Sequence, residues 1–408
     1  NADFVMYWWH KAAELAESNR IRRFGFITTN SITQTFNRRV VTRHLDRNLA
    51  ILFAIPDHPW NDSESGASVR IAVTSSTSKD SEKLGSLASV KEEVPRDDSD
   101  DVDVIFMPIA RGQIRADLRI GGDVSGAEAL LANSDVAGMG AALHGAGFIL
   151  EPEVGLSIRP HGASVVRPYI GGRDLLQVPR ERYVIDFSGL SEKEARTANA
   201  LAYQHVIDHV LPERRVNRRD SIRLKWWRFG WERPELRKAL SGLSRFIATT
   251  ETAKHRIFQF VDGEILPDHM VVVIASADAL VLGALSSSIH LCWALAAGGT
   301  LEDRPRYNKT RCFDPFPFPA ADESTRQRIR SLGEQLDLHR KRQQELHPNL
   351  TITGMYNVLE KLRSGEALTA KEKKIHEDGL VSVLKQIHDD LDAAVFDAYG
   401  WSPDLTDE

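Results

Sequence analysis

The N-terminal part of the chain carries first a helical and then a strand-like hydrophobic pattern. Apolar side chains recur at three- and four-residue spacing over residues 3–17, which predicts a helix. The residues at this spacing are Phe4, Tyr7, Trp8, Lys11, Ala12 and Leu15. Residues 24–29 form a short apolar run typical of a buried strand, and Asn30-Ser31 then offers an N-cap for a basic helix.

The pattern continues with two further strand-like runs, at residues 49–55 and 68–74. Between them, residues 56–62 contain two prolines and predict a loop. Helices and strands that alternate in this way predict an α/β region. Residues 76–103 differ, since the stretch 79–103 holds nine acidic and four basic residues. We interpret it as an acidic surface loop or a linker.

The C-terminal part, residues 321–408, has the pattern of amphipathic helices. Apolar positions among charges predict a helix over residues 323–346, which His347-Pro348 ends. A second apolar stripe comprises Leu380, Val383, Leu384, Ile387, Leu391 and Val395. Because each helix has one apolar face, we expect both to pack on a neighbouring domain.

Length and composition limit the classes of protein. The 408 residues are too many for one compact core and predict two or three domains. A net charge of −5 argues against a protein that coats nucleic acid indiscriminately, but it leaves room for a local basic surface. Cys292 and Cys312 are too few for a disulfide framework or a thiolate zinc site, and they fit a reducing cytoplasm. No apolar run is long enough to predict a transmembrane helix.

One segment is both basic and aromatic. Residues 211–260 hold thirteen Lys/Arg against five Asp/Glu, with Trp226, Trp227, Phe229 and Trp231 among them. Lysine and arginine neutralise phosphates, and flat side chains stack on bases or cover a groove wall, so the segment predicts contact with nucleic acid. The residues dense enough to form such a face are Arg214, Arg215, Arg218, Arg219, Arg223, Lys225 and Arg228. The alternative is a solvated helix surface with Trp226 and Trp227 in the core.

The sequence contains no self-contained enzyme signature. Fourteen histidines are present, but neither HExxH nor a clustered Cys/His spacing occurs. A GxSxG elbow, a Walker A loop and a GxGxxG fingerprint are also missing. Because these motifs are missing, no motif in the sequence indicates a hydrolase, nucleotide-binding or metal-binding function.

Several stretches, taken in order, resemble one family. Residues 24–34 (FGFITTNSITQ) look like the strand and turn after the catalytic motif of MmeI-like DNA adenine methyltransferases, the combined restriction–modification enzymes of type IIL. Residues 55–60 and 69–73 are similar to that family's next two strands. Matches to its target-recognition domain are residues 183–187, 304–313 and 316–319, and matches to its C-terminal helical segment are residues 353–357 and 398–401. The resemblance spans nearly the whole chain.

The chain also departs from the family pattern. The family binds S-adenosylmethionine through a glycine-rich loop and holds the target adenine with an Asn-Pro-Pro-Tyr/Phe motif, and both would lie before residue 3. The opening Asn1-Ala2-Asp3-Phe4 only mimics that spacing. No PD…ExK nuclease pattern is visible. Since the chain opens without an initiator methionine and runs directly into a helix, we interpret it as a piece of a longer protein.

The resemblance implies an α/β and α+β multidomain fold with three parts. Residues 1–112 would be the second half of a Rossmann-like methyltransferase domain, residues 113–320 a mixed α+β target-recognition domain, and residues 321–408 a helical C-terminal domain. The parent protein would recognise a sequence in double-stranded DNA, flip out an adenine and methylate its amino group from S-adenosylmethionine. We expect no bound cofactor on this piece, no methyl transfer by it, no membrane association, a monomer and a cytoplasmic location. The alternatives are a stand-alone DNA-binding specificity module and an α/β protein that does not bind DNA.

The candidate site residues fall into two groups. Trp60 matches the family's aromatic residue at the strand-to-loop junction and would stack on the flipped adenine; the alternative is a tryptophan folded onto the domain edge. The candidate DNA contacts are Arg218, Arg219, Arg223, Lys225, Arg228, Asn308, Lys309 and Arg311. Arginine and lysine can donate to guanine edges, and asparagine can pair bidentately with adenine.

Overall fold

The computed structural model describes residues 2–60, 69–78, 84–95, 102–121, 124, 126–162, 164–301, 304–402 and 405. The chain divides into two compact units, residues 1–123 and 124–407. Each is described by itself below. The three-part division expected from the sequence remains a prediction at the level of its boundaries.

The first unit contains a five-stranded mixed sheet with two helices. Its elements are α1 Val5–Glu17, β1 Arg23–Thr29, α2 Thr35–Leu45, β2 Leu49–Trp60, β3 Val69–Ser78, β4 Gly85–Leu87, β5 Val90–Pro95, β6 Val102–Phe106 and β7 Ala110–Gly112. The strand order is β1-β3-β2-β4-β7. All neighbours are antiparallel except β2 and β4, which are parallel, and β5 and β6 form a separate antiparallel pair. Because β1 and β2 both flank β3 in the antiparallel sense, they end at the same edge of the sheet.

The helix expected at residues 3–17 is confirmed, but its buried face is not formed by the residues whose spacing predicts it. Helix α1 buries Met6, Trp9, Ala13 and Ala16 and leaves Phe4, Tyr7 and Trp8 exposed. The helix is apolar on more than one side, so residue spacing fits two faces. Small residues decide between them, because alanines let the helix approach the sheet closely while the fully buried Trp9 fills the space beside Phe24.

Three local expectations are corrected in this unit. Strand β2 continues through Pro56 and Pro59 instead of ending at residue 55; a bulge between Ile55 and His58 absorbs Pro56, and only β3 pairs with this half of β2, so a missing N–H is tolerated. Residues 61 and 62 of the expected loop lie outside the described residues. Helix α2 starts at Thr35 without a side-chain cap, because Asn30 and Ser31 form a 3-10 turn and bond elsewhere.

The acidic stretch is the third correction. Its described parts include strands β4 and β5 and the start of β6, although the charge count predicts a loop or linker. Strands β5 and β6 contain valine, isoleucine and phenylalanine beside their acids, and such residues favour the extended conformation. Residues 79–83 and 96–101 lie outside the described residues.

The second unit combines two four-stranded sheets with many short helices. Its elements up to residue 312 are β8 Ala137–Met139, β9 Ile149–Leu150, α3 Pro152–Ile158, β10 Val166–Ile170, α4 Gly172–Leu176, β11 Tyr183–Ile185, α5 Glu192–Ala198, α6 Ala200–His209, α7 Leu211–Arg215, α8 Asp220–Arg223, α9 Pro234–Leu240, β12 Arg245–Thr250, β13 Gln259–Asp262, β14 Leu266–Pro267, β15 Val271–Ile274, α10 Ala279–Ser286, α11 Ser288–Ala297, β16 Gly299–Leu301, β17 Arg304–Arg306 and α12 Lys309–Cys312. The sheet orders are β13-β12-β15-β8 and β14-β10-β11-β9, with β16 and β17 as a separate pair. Strand β15 is wholly buried, which explains its unbroken apolar sequence, and β12 is buried from Phe246 to Thr250.

The chain ends in four helices that pack on the strand-rich part of the same unit. They are α13 Glu323–Leu346, α14 Ile352–Ser364, α15 Ala370–Asp378 and α16 Val381–Tyr399, and the helix expected at residues 323–346 is confirmed. Arg340 is buried and donates to the Phe258 carbonyl at 2.9 Å, while the Asp337 carboxylate accepts from the Phe260 amide at 3.0 Å. Helix α13 thus packs on strand-rich residues of its own compact unit, and packing of both helices on a separate neighbouring domain stays a prediction.

The overall mixture of α and β structure with a helical C-terminal segment is confirmed as well. Among the described residues, no single helix has the length and apolar character to span a membrane, although the pair α10 and α11, bent by 64°, passes that test together.

Candidate nucleic-acid interface

The basic segment, residues 211–260, begins with an irregular stretch between helix α6 and strand β12. This stretch contains the short helices α7, α8 and α9, and its residues Trp226, Trp227 and Phe229 pack against a hydrophobic core that includes Phe148 and Tyr203. Phe229 is buried there, Trp226 and Trp227 are half-buried, and the Trp227 indole donates to the Leu190 carbonyl at 3.0 Å. The tryptophan pair therefore packs against the core and anchors the segment, and contact of the segment with nucleic acid stays a prediction.

Arg214 is the principal correction in this segment. The sequence groups it with the surface arginines, but its side chain is fully buried. It donates to the Leu143 carbonyl at 2.6 Å and to the Arg228 carbonyl at 3.3 Å, and it lies 5.4 Å from the Phe148 ring centroid. Burial lowers the pKa of its guanidinium. Arg214 therefore ties the segment to the loop around residue 143 and takes no part in an outer surface.

The candidate DNA contacts between residues 218 and 228 occupy two different environments. Arg218, Arg219 and Lys225 are exposed on the outer side of the segment. Arg223 is partly covered and bonds to the Asp220 carboxylate at 2.5 Å and the Asn217 carbonyl at 3.1 Å. Arg228 forms a two-pronged ion pair with Glu232, which raises the pKa of the arginine. The first three side chains are thus accessible to a partner. Arg223 and Arg228 would each have to break an ion pair within the chain before they could bind a phosphate or a base.

The remaining candidate DNA contacts, Asn308, Lys309 and Arg311, lie at helix α12. This helix packs on a different hydrophobic core, which includes Phe258 and Tyr307. Asn308 caps the helix, since its Oδ1 accepts from the Thr310 amide at 3.1 Å and the Thr310 hydroxyl at 2.7 Å. Lys309 pairs with the Asp314 carboxylate at 3.0 Å, and Arg311 is half-buried. Partly buried Arg256 holds the hairpin before this helix by donating to the Pro305 carbonyl at 3.1 Å. Asn308 and Lys309 thus have local structural roles beside any contact with DNA.

Trp60 ends strand β2 opposite Val69 and is 50% exposed. Two residues earlier, His58 pairs with Ile71, which on its other side pairs with Thr29 at the end of β1. The tryptophan therefore lies at the sheet edge where β1 and β2 both end. The exposed ring has the geometry of a platform and is also compatible with a tryptophan at a domain edge.

Polar groups at this edge are connected to one another. The Asp57 carboxylate accepts from the Asn30 amide at 3.1 Å and from Arg70 Nε at 2.6 Å. The Asp3 carboxylate accepts from the Ser31 hydroxyl at 2.7 Å and the Asn37 amide at 2.8 Å, and these bonds lower its pKa. The sequence carries no signal for this network, because its members come from separate parts of the first unit.

Metal chemistry finds no support among the residues that the structure describes. They contain no group of three or more His, Cys, Asp or Glu side chains placed to hold an ion. The described geometry therefore offers a basic surface with an anchored aromatic segment and a sheet edge with an exposed tryptophan. The second unit thus carries an electropositive surface segment, and the first unit is a mixed α/β unit with an exposed tryptophan.

Two family models match the chain. The DNA-methyltransferase domain of MmeI matches residues 1–85, and the target recognition domain of MmeI matches residues 138–320. The chain belongs to the MmeI family. A search of curated proteins gives no match.

Twenty-three chains of known structure also match. One of them is the type IIL restriction–modification enzyme MmeI, solved in complex with DNA. That structure has a TM-score of 0.73 and 21% sequence identity, and the match covers 99% of this chain and 50% of the MmeI chain. At this identity the likeness concerns the fold. The chain spans about half the length of the MmeI protein that it matches.

Proposed function

We propose that the chain is the C-terminal portion of a site-specific DNA adenine methyltransferase of a restriction–modification system. The observation that carries the proposal is the order of the two family matches, a methyltransferase domain followed by a target recognition domain on one chain. The exposed basic residues Arg218, Arg219 and Lys225 lie within the second match and supply the positive charge that a DNA-recognition domain needs.

In this proposal the first unit is the second half of a Rossmann-like methyltransferase domain, and Trp60 stacks on the adenine that leaves the duplex. A flipped base loses its stacking partners, so an exposed aromatic ring beside the reacting position recovers part of that free energy. The ring's position at the shared end of β1 and β2 supports this role. The parent protein would act in the cytoplasm.

The residues of the first unit do not fit S-adenosylmethionine by themselves. The turn after β1 is the polar stretch Asn30–Thr33 rather than a glycine-rich loop, and its side chains bond to Asp57 and Asp3. We therefore assign the cofactor to parts of the parent protein outside this chain. Methyl transfer would then need the complete protein, whereas recognition of DNA would need only the second unit.

Two measurements test the proposal. Single-molecule sequencing of DNA from cells that express the complete protein should show N6-methyladenine at one recurring sequence, compared with cells that carry the empty vector. Calorimetry of this chain with S-adenosylmethionine should show no binding heat. Unmodified adenine, or methylation of cytosine, would contradict the assigned reaction. Clear cofactor binding by this chain would contradict the division between the halves.

A further inference from the structure

Trp231 differs from the other aromatic residues of the basic segment. Trp226, Trp227 and Phe229 pack on the core, whereas 54% of Trp231 is exposed. Two side chains flank its ring. His144 meets it edge to face with ring centroids 5.4 Å apart, and the Arg233 guanidinium lies 5.1 Å from the ring centroid. The ring is therefore exposed and also held in a defined orientation.

The backbone beneath Trp231 is fixed by long-range bonds. Trp231 exchanges both of its backbone hydrogen bonds with Ala142, each at 3.1 Å, and the Gly230 amide donates to the Leu143 carbonyl at 3.2 Å. Buried Arg214 binds the same Leu143 carbonyl. A Cβ on Gly230 would lie 2.2 Å from His144 Cδ2, so glycine is needed for the histidine to approach. Two chain segments remote in sequence are thereby locked together at this ring.

Both residues that flank the ring adopt the left-handed backbone conformation. His144 has a φ of 54°, and Arg233 has a φ of 56° although it precedes Pro234. Left-handed conformations are unfavourable for side chains with a Cβ, and a following proline restricts the preceding residue further. Strain of this kind persists where the surrounding structure enforces it, and it concentrates at functional sites.

The surroundings of the ring are mainly electropositive. Beside it lies an open cleft of about 400 Å³ whose charged lining is Lys225, Arg228, Glu232, Arg233 and Glu235. Glu232 is paired with Arg228, which leaves Glu235 as the exposed acid of the lining. Burial lowers the pKa of His144, and the charges of Arg214, Arg219 and His269 lower it further. These couplings also place the candidate contact Arg219 in the electrostatic neighbourhood of His144.

We propose that Trp231, flanked by His144 and Arg233, is a contact site for duplex DNA. The indole packs against the sugars and base edges of a groove, and Arg233 takes an adjacent phosphate. Charge complementarity favours DNA over a second protein, because the cleft lining holds three cations against two acids, and one of those acids, Glu232, is paired with Arg228. This inference rests on the proposed DNA-binding function and adds residues to it, since Trp231, His144 and Arg233 lie outside the basic residues assigned from the sequence.

The test compares variants of this chain in anisotropy titrations with a fluorescein-labelled duplex at several salt concentrations. Trp231→Ala should weaken binding about tenfold, the loss expected for one buried aromatic contact, with an unchanged salt slope. Trp231→Phe should retain most of the affinity. Arg233→Asn, which keeps a residue that tolerates the left-handed conformation, should weaken binding and reduce the salt slope by about 0.9. Trp401→Ala, which removes another half-exposed tryptophan, should have no effect.

The outcomes separate this inference from the proposed function. If the unmodified chain binds DNA and Trp231→Ala behaves like Trp401→Ala, the inference is wrong while the proposed function stands. If the unmodified chain does not bind DNA at any salt concentration, the proposed function itself fails. Should Trp231→Ala lower the melting temperature, the salt slope of Arg233→Asn decides: a reduced slope supports the contact, and an unchanged slope overturns it.

Discussion

The ring of Trp60 is half exposed at the end of strand β2, although tryptophan side chains are highly buried on average. In the complete enzyme, Trp60→Ala should lower the methylation rate because the flipped adenine loses a stacking surface, whereas Trp60→Phe should retain part of the rate. We expect a loss of about tenfold, which corresponds to roughly 1.4 kcal/mol. Initial rates of methyl incorporation from labelled cofactor measure it.

The matched control for this change is Trp8→Ala. Trp8 is exposed to nearly the same extent, in the same unit, but it lies on helix α1 and not at the end of a strand. Both variants should keep the melting temperature of the parent within a few degrees, since neither side chain is in the core. Equal rates for Trp60→Ala and the unmodified enzyme would remove Trp60 from the adenine pocket.

Basic side chains with different surroundings should respond differently to removal. Alanine at Arg218, Arg219 or Lys225 should weaken DNA binding evenly across sequences and reduce the salt slope by about one each if these residues hold phosphates. Alanine at Arg228 should also lower the free energy of unfolding. The Arg228 and Glu232 side chains are both partly covered, so the change leaves the Glu232 carboxylate without its ion-pair partner away from full solvent. Binding titrations and thermal melts of the same variants separate the two effects.

The same series includes Arg223, Asn308, Lys309 and Arg311. A residue that reads bases should change the preferred sequence when it is replaced, whereas a phosphate contact should lower affinity without that change. Selection of bound duplexes from a random library by the complete protein measures the preference. If none of the eight alanine changes alters DNA binding, the assignment of both groups is wrong.

At the scale of elements, the sequence predicts best where one periodicity dominates. The sequence predicts helix α13 correctly because its apolar stripe is regular and a His-Pro pair ends it. It also predicts helix α1, but the spacing does not identify the buried face, because the helix is apolar on several sides. For strand β2 the sequence predicts an end before the prolines, since their tolerance depends on which neighbours pair with that half of the strand.

The candidate interface shows the same limit. Arg214 and Arg218 look equivalent in the sequence, yet one is fully buried and the other is exposed. The difference arises from the Leu143 carbonyl, which accepts the Arg214 side chain from a loop 71 residues away. Local charge counting can therefore locate a basic segment, but it cannot distinguish the arginine that fixes the segment from those that face outward.

At the scale of the whole molecule, buried histidines should make the second unit sensitive to acid. Burial lowers the pKa of His290 and of His388 to about 3, from an ordinary value of 6.5. Below pH 6.5 these two histidines bind protons in the unfolded chain but stay neutral in the folded chain. The free energy of unfolding therefore falls progressively as the pH is lowered from 6.5 towards 3. Each histidine contributes about 1.4 kcal/mol per pH unit in that range.

Denaturant unfolding between pH 7 and pH 4 checks this slope. His388→Gln should make the acid limb shallower, whereas His269→Gln, which changes an exposed histidine of the same unit, should leave it unchanged. The His388→Gln variant also loses the 2.7 Å hydrogen bond between His388 and the Tyr356 hydroxyl. The comparison therefore concerns the slope with pH and not the absolute stability. Identical slopes for all three proteins would contradict the assignment of neutral buried histidines.

We propose that this chain carries the DNA-recognition half of its parent, and a salt titration of duplex binding tests this most directly. The basic segment should bind duplex DNA weakly at low salt, with a dissociation constant of about 1 μM. Affinity should then fall steeply and linearly on logarithmic axes as salt rises, because each neutralised phosphate releases counterions. Absence of binding even at low salt, or binding that does not depend on salt, would contradict the claim.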